Sequence, residues 1–143
     1  MVLISHRGNI DGVNQNFENQ PNYIDDAIKA GYDVEVDIWY IGDKLYLGHD
    51  TADYQVDIDW LEKRRFKLWI HCKNHPALEL LCETHLHYFW HDEDDVTITS
   101  KGIMWSHPKI RPLTNSIAVL PERHNWTVGD CLGVCSDYIK RYK

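Results

Sequence analysis

Two histidines, His6 in Ser5-His6-Arg7-Gly8 and His49 in Gly48-His49-Asp50, bracket a run of alternating acids, Asp33-Val34-Glu35-Val36-Asp37. These residue types suit cleavage of a phosphodiester, which needs a nucleophile deprotonated, a leaving alkoxide protonated and negative charge stabilised. An ordinary imidazole titrates near pH ~6.5, so His6 and His49 can share base and acid roles near neutrality. Arg7 offers a planar fork for phosphate oxygens. Glu35 and Asp37, two apart, fall on one side of an extended strand, where a divalent cation would cancel their repulsion and polarise a phosphoryl oxygen. Oxygen donors of this kind favour Mg2+ or Ca2+. Taken alone, the alternating acids read as the wet face of an amphipathic strand, and the flanking histidines reverse that preference.

Other candidates lie further along. Asn19 is expected to organise the loop near the phosphate, although Glu18 and Asn19 could equally cap the helix that follows Pro21. Glu122, just after the apolar run Ser116 to Leu120 and Pro121, could complete a metal site from the opposite side. Trp105 ends another apolar run and serves either as an apolar wall for a substrate or as a core residue. Cys72-x2-His75 and Cys82-x2-His85 have the spacing of a Cys2His2 zinc site. The intervening Pro76 to Leu81 reads as a packed helix that would hold the two pairs apart.

The elements needed to position these groups are visible in the hydrophobic pattern. Val2-Leu3-Ile4 reads as a buried strand ending at Ser5-His6. Pro21 opens a helix of about three turns that stops at Ala30-Gly31. Asp33 to Ile38 alternates as a strand, Gly42-Asp43 turns the chain, and Leu45-Tyr46-Leu47 returns as a hairpin that delivers His49 beside the acids. Apolar runs recur at Phe66 to Ile70, His87 to Trp90, Gly102 to Trp105, Ser116 to Leu120 and Leu132 to Val134, and read as parallel strands. The expected fold class is α/β: a compact or incomplete (β/α) TIM-like barrel with several helices missing or shortened, since a full barrel takes about 250 residues. A small open α/β sheet is the alternative.

The ordered set His6-Arg7-Gly8, Glu18-Asn19, Gly31-x-Asp33-x-Glu35-x-Asp37, Gly42-Asp43 and His49-Asp50 resembles the signature of the glycerophosphodiester phosphodiesterase family, within the phosphatidylinositol phospholipase C-like superfamily. Gly133 to Asp137 looks like that family's closing strand. The resemblance implies attack by a neighbouring substrate hydroxyl to give a cyclic phosphate. It also implies that Lys73 contacts phosphate and that a third metal ligand precedes it by two residues. There the family has glutamate, whereas this chain has His71 in Leu68-Trp69-Ile70-His71-Cys72-Lys73. An imidazole ligand would shift the metal preference toward Mn2+ or Zn2+. A chain with this departure reads alternatively as a non-catalytic phosphate- or phosphodiester-binding module with a degenerate metal site.

Composition sets the outer limits. A chain of 143 residues with no Gly, Ser or Pro tract is expected to form one domain over 1–143. Its net charge of −7 argues against nucleic acid and anionic membrane surfaces as partners, so a phosphate site would be local, and the resemblance implies a small phosphodiester as its substrate. No stretch approaches a membrane span, and four cysteines without a signal peptide suggest reduced thiols in a cytoplasmic protein.

Overall fold

The computed structural model describes residues 1–143. In chain order the elements are β1 (Val2–His6), α1 (Pro21–Lys29), β2 (Asp33–Ile41), β3 (Lys44–Leu47), β4 (Tyr54–Val56), α2 (Ile58–Lys63), β5 (Leu68–Cys72) and α3 (His75–Leu81). There follow β6 (Tyr88–Trp90), β7 (Val96–Ile98), β8 (Met104–Ser106), β9 (Ile117–Val119) and β10 (Gly133–Ser136), with 3₁₀ turns at Pro121–Arg123 and Ile139–Tyr142.

All ten strands belong to one mixed sheet. Its continuous path runs β4-β3-β2-β1-β10-β9-β8-β7, while β5 branches from β2 and carries β6. The pairs β6·β5, β5·β2, β2·β1, β1·β10, β10·β9 and β9·β8 are parallel, whereas β2·β3, β3·β4 and β7·β8 are antiparallel. The sheet curls into a half-barrel and is not a TIM-like barrel ringed by helices, which corrects the α/β barrel expected above. Only three helices form, of 9, 6 and 7 residues, and all precede β6. The reason lies in the later connections. His107 to Ser116 carries Pro108 and Pro112, and the stretch from Leu120 to Leu132 makes only a 3₁₀ turn at Pro121–Arg123 and includes Gly129; neither has an apolar period of a helix.

The two faces of β2 explain how the sheet is held. Val34, Val36 and Ile38 are fully buried under α1 and α3 in a cluster with Ile24, Ala27 and Leu81. On the opposite, concave face a second cluster joins Ile4, Trp69, Phe89, Trp105 and Ile117. Glu35 and Asp37 face this concave side and are buried too, at 3% and 0% exposure. They are therefore not the solvated stripe of an ordinary amphipathic strand.

The hairpin between β2 and β3 forms as its sequence predicts. Gly42 and Asp43 both have positive φ (55° and 65°), the twist that a two-residue turn between right-twisted strands requires. The expected helix after Pro21 appears as α1, with Ile24 and Ala27 as its buried stripe. The short strands β4 and β7 were not expected from the sequence pattern, and three residues of mixed exposure leave little period to read.

Candidate active site

Most of the candidate residues sit at or just beyond the C-terminal ends of the parallel strands, where loops from several strands meet over the concave face. Parallel register places His6 of β1 opposite Glu35 of β2, and Asp37 of β2 opposite His71 of β5. A cavity of about 270 Å³ opens above them. His6, Arg7, Glu35, His49, His71 and Lys73 line it, and Trp105 forms part of its wall. Trp105 is also packed against Phe89 and Trp69, with ring centroids 4.6 and 5.8 Å away, so its core and wall roles coexist.

His6 is fixed from behind. Its Nδ1 lies 2.7 Å from Asp137 Oδ1, and the Asn9 amide donates to the same oxygen at 2.9 Å. Asp137 is buried, which works against its charge, but the contact with His6 wins and lowers its pKa. An ionised Asp137 accepts a proton-bearing Nδ1, so the neutral imidazole keeps its lone pair on Nε2, 3.8 Å from Glu35 Oε2.

His49 reaches the same cavity from the loop after β3. The Gly48 amide donates to the Asp37 carbonyl at 3.1 Å and Trp39 Nε1 donates to the Gly48 carbonyl at 2.6 Å. Gly48 itself has φ 151°, and a Cβ there would lie 1.9 Å from the Thr51 carbonyl oxygen, so only glycine fits. The His49 Nδ1 is 2.6 Å from Asp50 Oδ1, at a more exposed position than His6. Partial burial, together with the Arg7 charge, pulls the His49 pKa down.

Arg7 holds a left-handed conformation, φ 55°, which a long side chain rarely adopts. Its amide donates to the Glu35 carbonyl and its carbonyl accepts from the Asn19 amide, each at 3.0 Å. These contacts hold the strained turn so that the guanidinium Nε lies 3.2 Å from Asp37 Oδ2. Asn19 lies below the cavity: it donates to Asp37 Oδ2 at 2.9 Å and accepts from the Asp37 amide at 3.0 Å. It therefore orients a carboxylate and does not itself line this cavity.

The Glu35 and Asp37 carboxyls are driven apart in proton affinity. Burial, reinforced by the charge of Asp37, pushes Glu35 well above the usual carboxylate range. Burial opposes the charge of Asp37 as well, but His71, Arg7 and Asn19 beside it hold its pKa down. Glu35 Oε2 and Asp37 Oδ1 are buried without a hydrogen-bond partner. One ligand atom each from Glu35, Asp37 and His71 lie within 4.8 Å of one another, a donor set that fits a divalent cation.

Glu122 does not join this group. Its Oε1 accepts from Ser136 Oγ at 2.9 Å and from the Asp137 amide at 3.2 Å. The 3₁₀ turn Pro121–Arg123 directs it to brace the turn that presents Asp137, so it is a support for His6 and not a ligand beside Glu35. The suggested Cys2His2 site is also absent: Cys72 is buried, Cys82 is exposed, and α3 stands between them.

Sequence reasoning missed Asp137 as a functional group, and it missed His91, His107 and Arg123, which also line the cavity. His91 follows β6 directly and His107 follows β8, so a polar residue just beyond an apolar run was the available signal. His91 is pushed down to about 4 by burial and by the neighbouring His71 and His107. No protein-family model, curated protein or solved structure matches the chain.

Proposed function

We propose that this protein is a divalent-metal-dependent phosphodiesterase acting on small glycerophosphodiester-type substrates, of the glycerophosphodiester phosphodiesterase kind. The observation that carries the reading is the convergence of two carboxylate-backed histidines, Arg7 and Lys73 on one cavity around Glu35, Asp37 and His71.

Arg7 and Lys73 neutralise and orient the non-bridging phosphate oxygens. His6, with Nε2 free, takes the proton from the attacking hydroxyl, and Asp137 stabilises the imidazolium that forms. His49, on the opposite loop, returns a proton to the leaving oxygen. Attack by a neighbouring hydroxyl of the substrate leaves a cyclic phosphate, to be hydrolysed or released. A cation held by Glu35, Asp37 and His71 would polarise a phosphoryl oxygen. No helix is long and apolar enough to cross a membrane, and the four cysteines are free, which suits a cytoplasmic enzyme with a small diester as its partner.

Glycerophosphodiesters incubated with the protein, with and without chelator, and with His6→Ala and His49→Ala, test the reading. Loss of turnover in the chelated and substituted samples is expected; equal turnover in all four sinks it. One observation favours a second reading, a phosphate-binding module without catalysis: Arg7 already places a positive charge 3.2 Å from Asp37. Phosphate binding with no diester cleaved under any divalent metal would select that alternative.

A further inference from the structure

His71 is held from three sides. Its Nε2 lies 3.0 Å from the carbonyl oxygen of His91. A carbonyl only accepts, so Nε2 carries a proton, and Nδ1 is the nitrogen left to give its lone pair to a cation. The ring stacks on Phe89, with centroids 5.0 Å apart and planes 10° from parallel, which opposes rotation to the other face. On the far side Nδ1 is 3.2 Å from Asp37 Oδ1 and 3.8 Å from Glu35 Oε1.

Three electron-pair donors thus face one another in a buried place where Asp37 Oδ1 and Glu35 Oε2 have no hydrogen bond. Such a meeting is repulsive unless a proton on Nδ1 or a metal cation sits among them, and one proton on Nδ1 leaves Glu35 Oε2 still without a partner. Two donors on one ion with legs of about 2.1 Å can stand up to about 4.2 Å apart, so both separations to Nδ1 can be spanned by a single transition-metal ion. Calcium requires six to eight oxygens, and magnesium keeps oxygen ligands and much of its water. An imidazole nitrogen locked in ligating orientation suits Zn2+ and its first-row neighbours.

We propose that the His91 carbonyl and the Phe89 ring fix His71 as an Nδ1 donor, making this a mixed nitrogen and carboxylate site that selects a first-row transition dication over Mg2+ and Ca2+. The proposal rests on the phosphodiesterase reading in taking this cation as the one that serves the reaction.

The test uses the full chain stripped by chelator and reloaded with Mn2+ as a paramagnetic probe. Pulsed electron paramagnetic resonance should detect a directly bound imidazole nitrogen, and His71→Glu, which gives an all-carboxylate set, should abolish that coupling. In parallel, calorimetric titration with Zn2+ and Mg2+ should show the preference for Zn2+ falling at least about tenfold in His71→Glu. A wild-type spectrum without nitrogen coupling, or a coupling or Zn2+ preference unchanged by the substitution, overturns the proposal; the first result means a proton on Nδ1 has taken the cation's place. Should His71→Glu fail to fold, His71→Gln serves in its stead and must likewise lose the nitrogen coupling. Neither readout needs turnover, so nitrogen coupling in a protein that cleaves no diester overturns the phosphodiesterase reading alone.

Discussion

His6 and His49 each lean on a carboxylate, but the two supports differ in kind. Asp137 is buried and held by Asn9 and Glu122, whereas Asp50 has 90% of its side chain exposed. The buried support fixes tautomer and ring direction; the exposed one is screened and adds little. Asp137→Asn is therefore expected to lower kcat by about 10²- to 10⁴-fold with little change in KM, because the amide can favour the wrong His6 tautomer. Asp50→Asn should cost much less, and steady-state kinetics on the two variants side by side checks the asymmetry. Equal losses would contradict it. At this scale the motif around His6, Glu35, Asp37 and His49 could be read along the chain because its members lie within one hairpin and its neighbouring strand. Asp137 could not, since 131 positions separate it from His6 and only the pairing of β1 with β10 brings them together. Glu122 misled for a related reason: its position near a strand end was legible, but not the turn that aims it at Ser136.

Two loop-to-element junctions set the precision of the site. Asn74 begins α3 and ties it to β2: its Oδ1 accepts from the amides of Ala77 and Tyr40, and its Nδ2 donates to the Tyr40 carbonyl. Asn74→Ala removes a helix cap and two links to a strand at once, and should cost about 2 kcal/mol in urea unfolding. Gly48 governs the other junction. Gly48→Ala would force apart the turn that ends at Asp53, displacing His49, and kcat/KM should fall by about 10²-fold while far-ultraviolet circular dichroism stays unchanged. Undiminished kcat/KM would show that His49 does not depend on this turn. The hairpin and α1 were legible because Gly42-Asp43 and Pro21 speak through local backbone geometry. The missing outer helices were legible only in part: Pro108 and Pro112 interrupt the connection after β8 and no apolar period follows β9, but the mixed sheet that results depends on β7 reversing against β8, which no local period announces.

For the molecule as a whole, the curled sheet has an apolar cluster on each face, and the concave cluster is ringed by imidazoles. His87 is one of them, packed on Trp69 at 4.1 Å with its Nε2 2.7 Å from the Thr99 hydroxyl, and burial pushes it down to about 4 from the ordinary 6.5. Between those values the unfolded chain binds a proton here that the native protein does not, so stability must fall as pH drops through the window. Urea midpoints measured from pH 7 to 4 should therefore decline less steeply for His87→Gln than for the wild type; parallel curves would contradict the assignment. The pairing of Val2 with Gly133 has a kinetic consequence as well. β1 waits for β10, far along the sequence, so the centre of the sheet closes through a very long loop, and such non-local closure is slow. The support behind His6 would then be assembled in a single late step of folding, when residues 133–137 dock beside β1 and bring Asp137 to the imidazole.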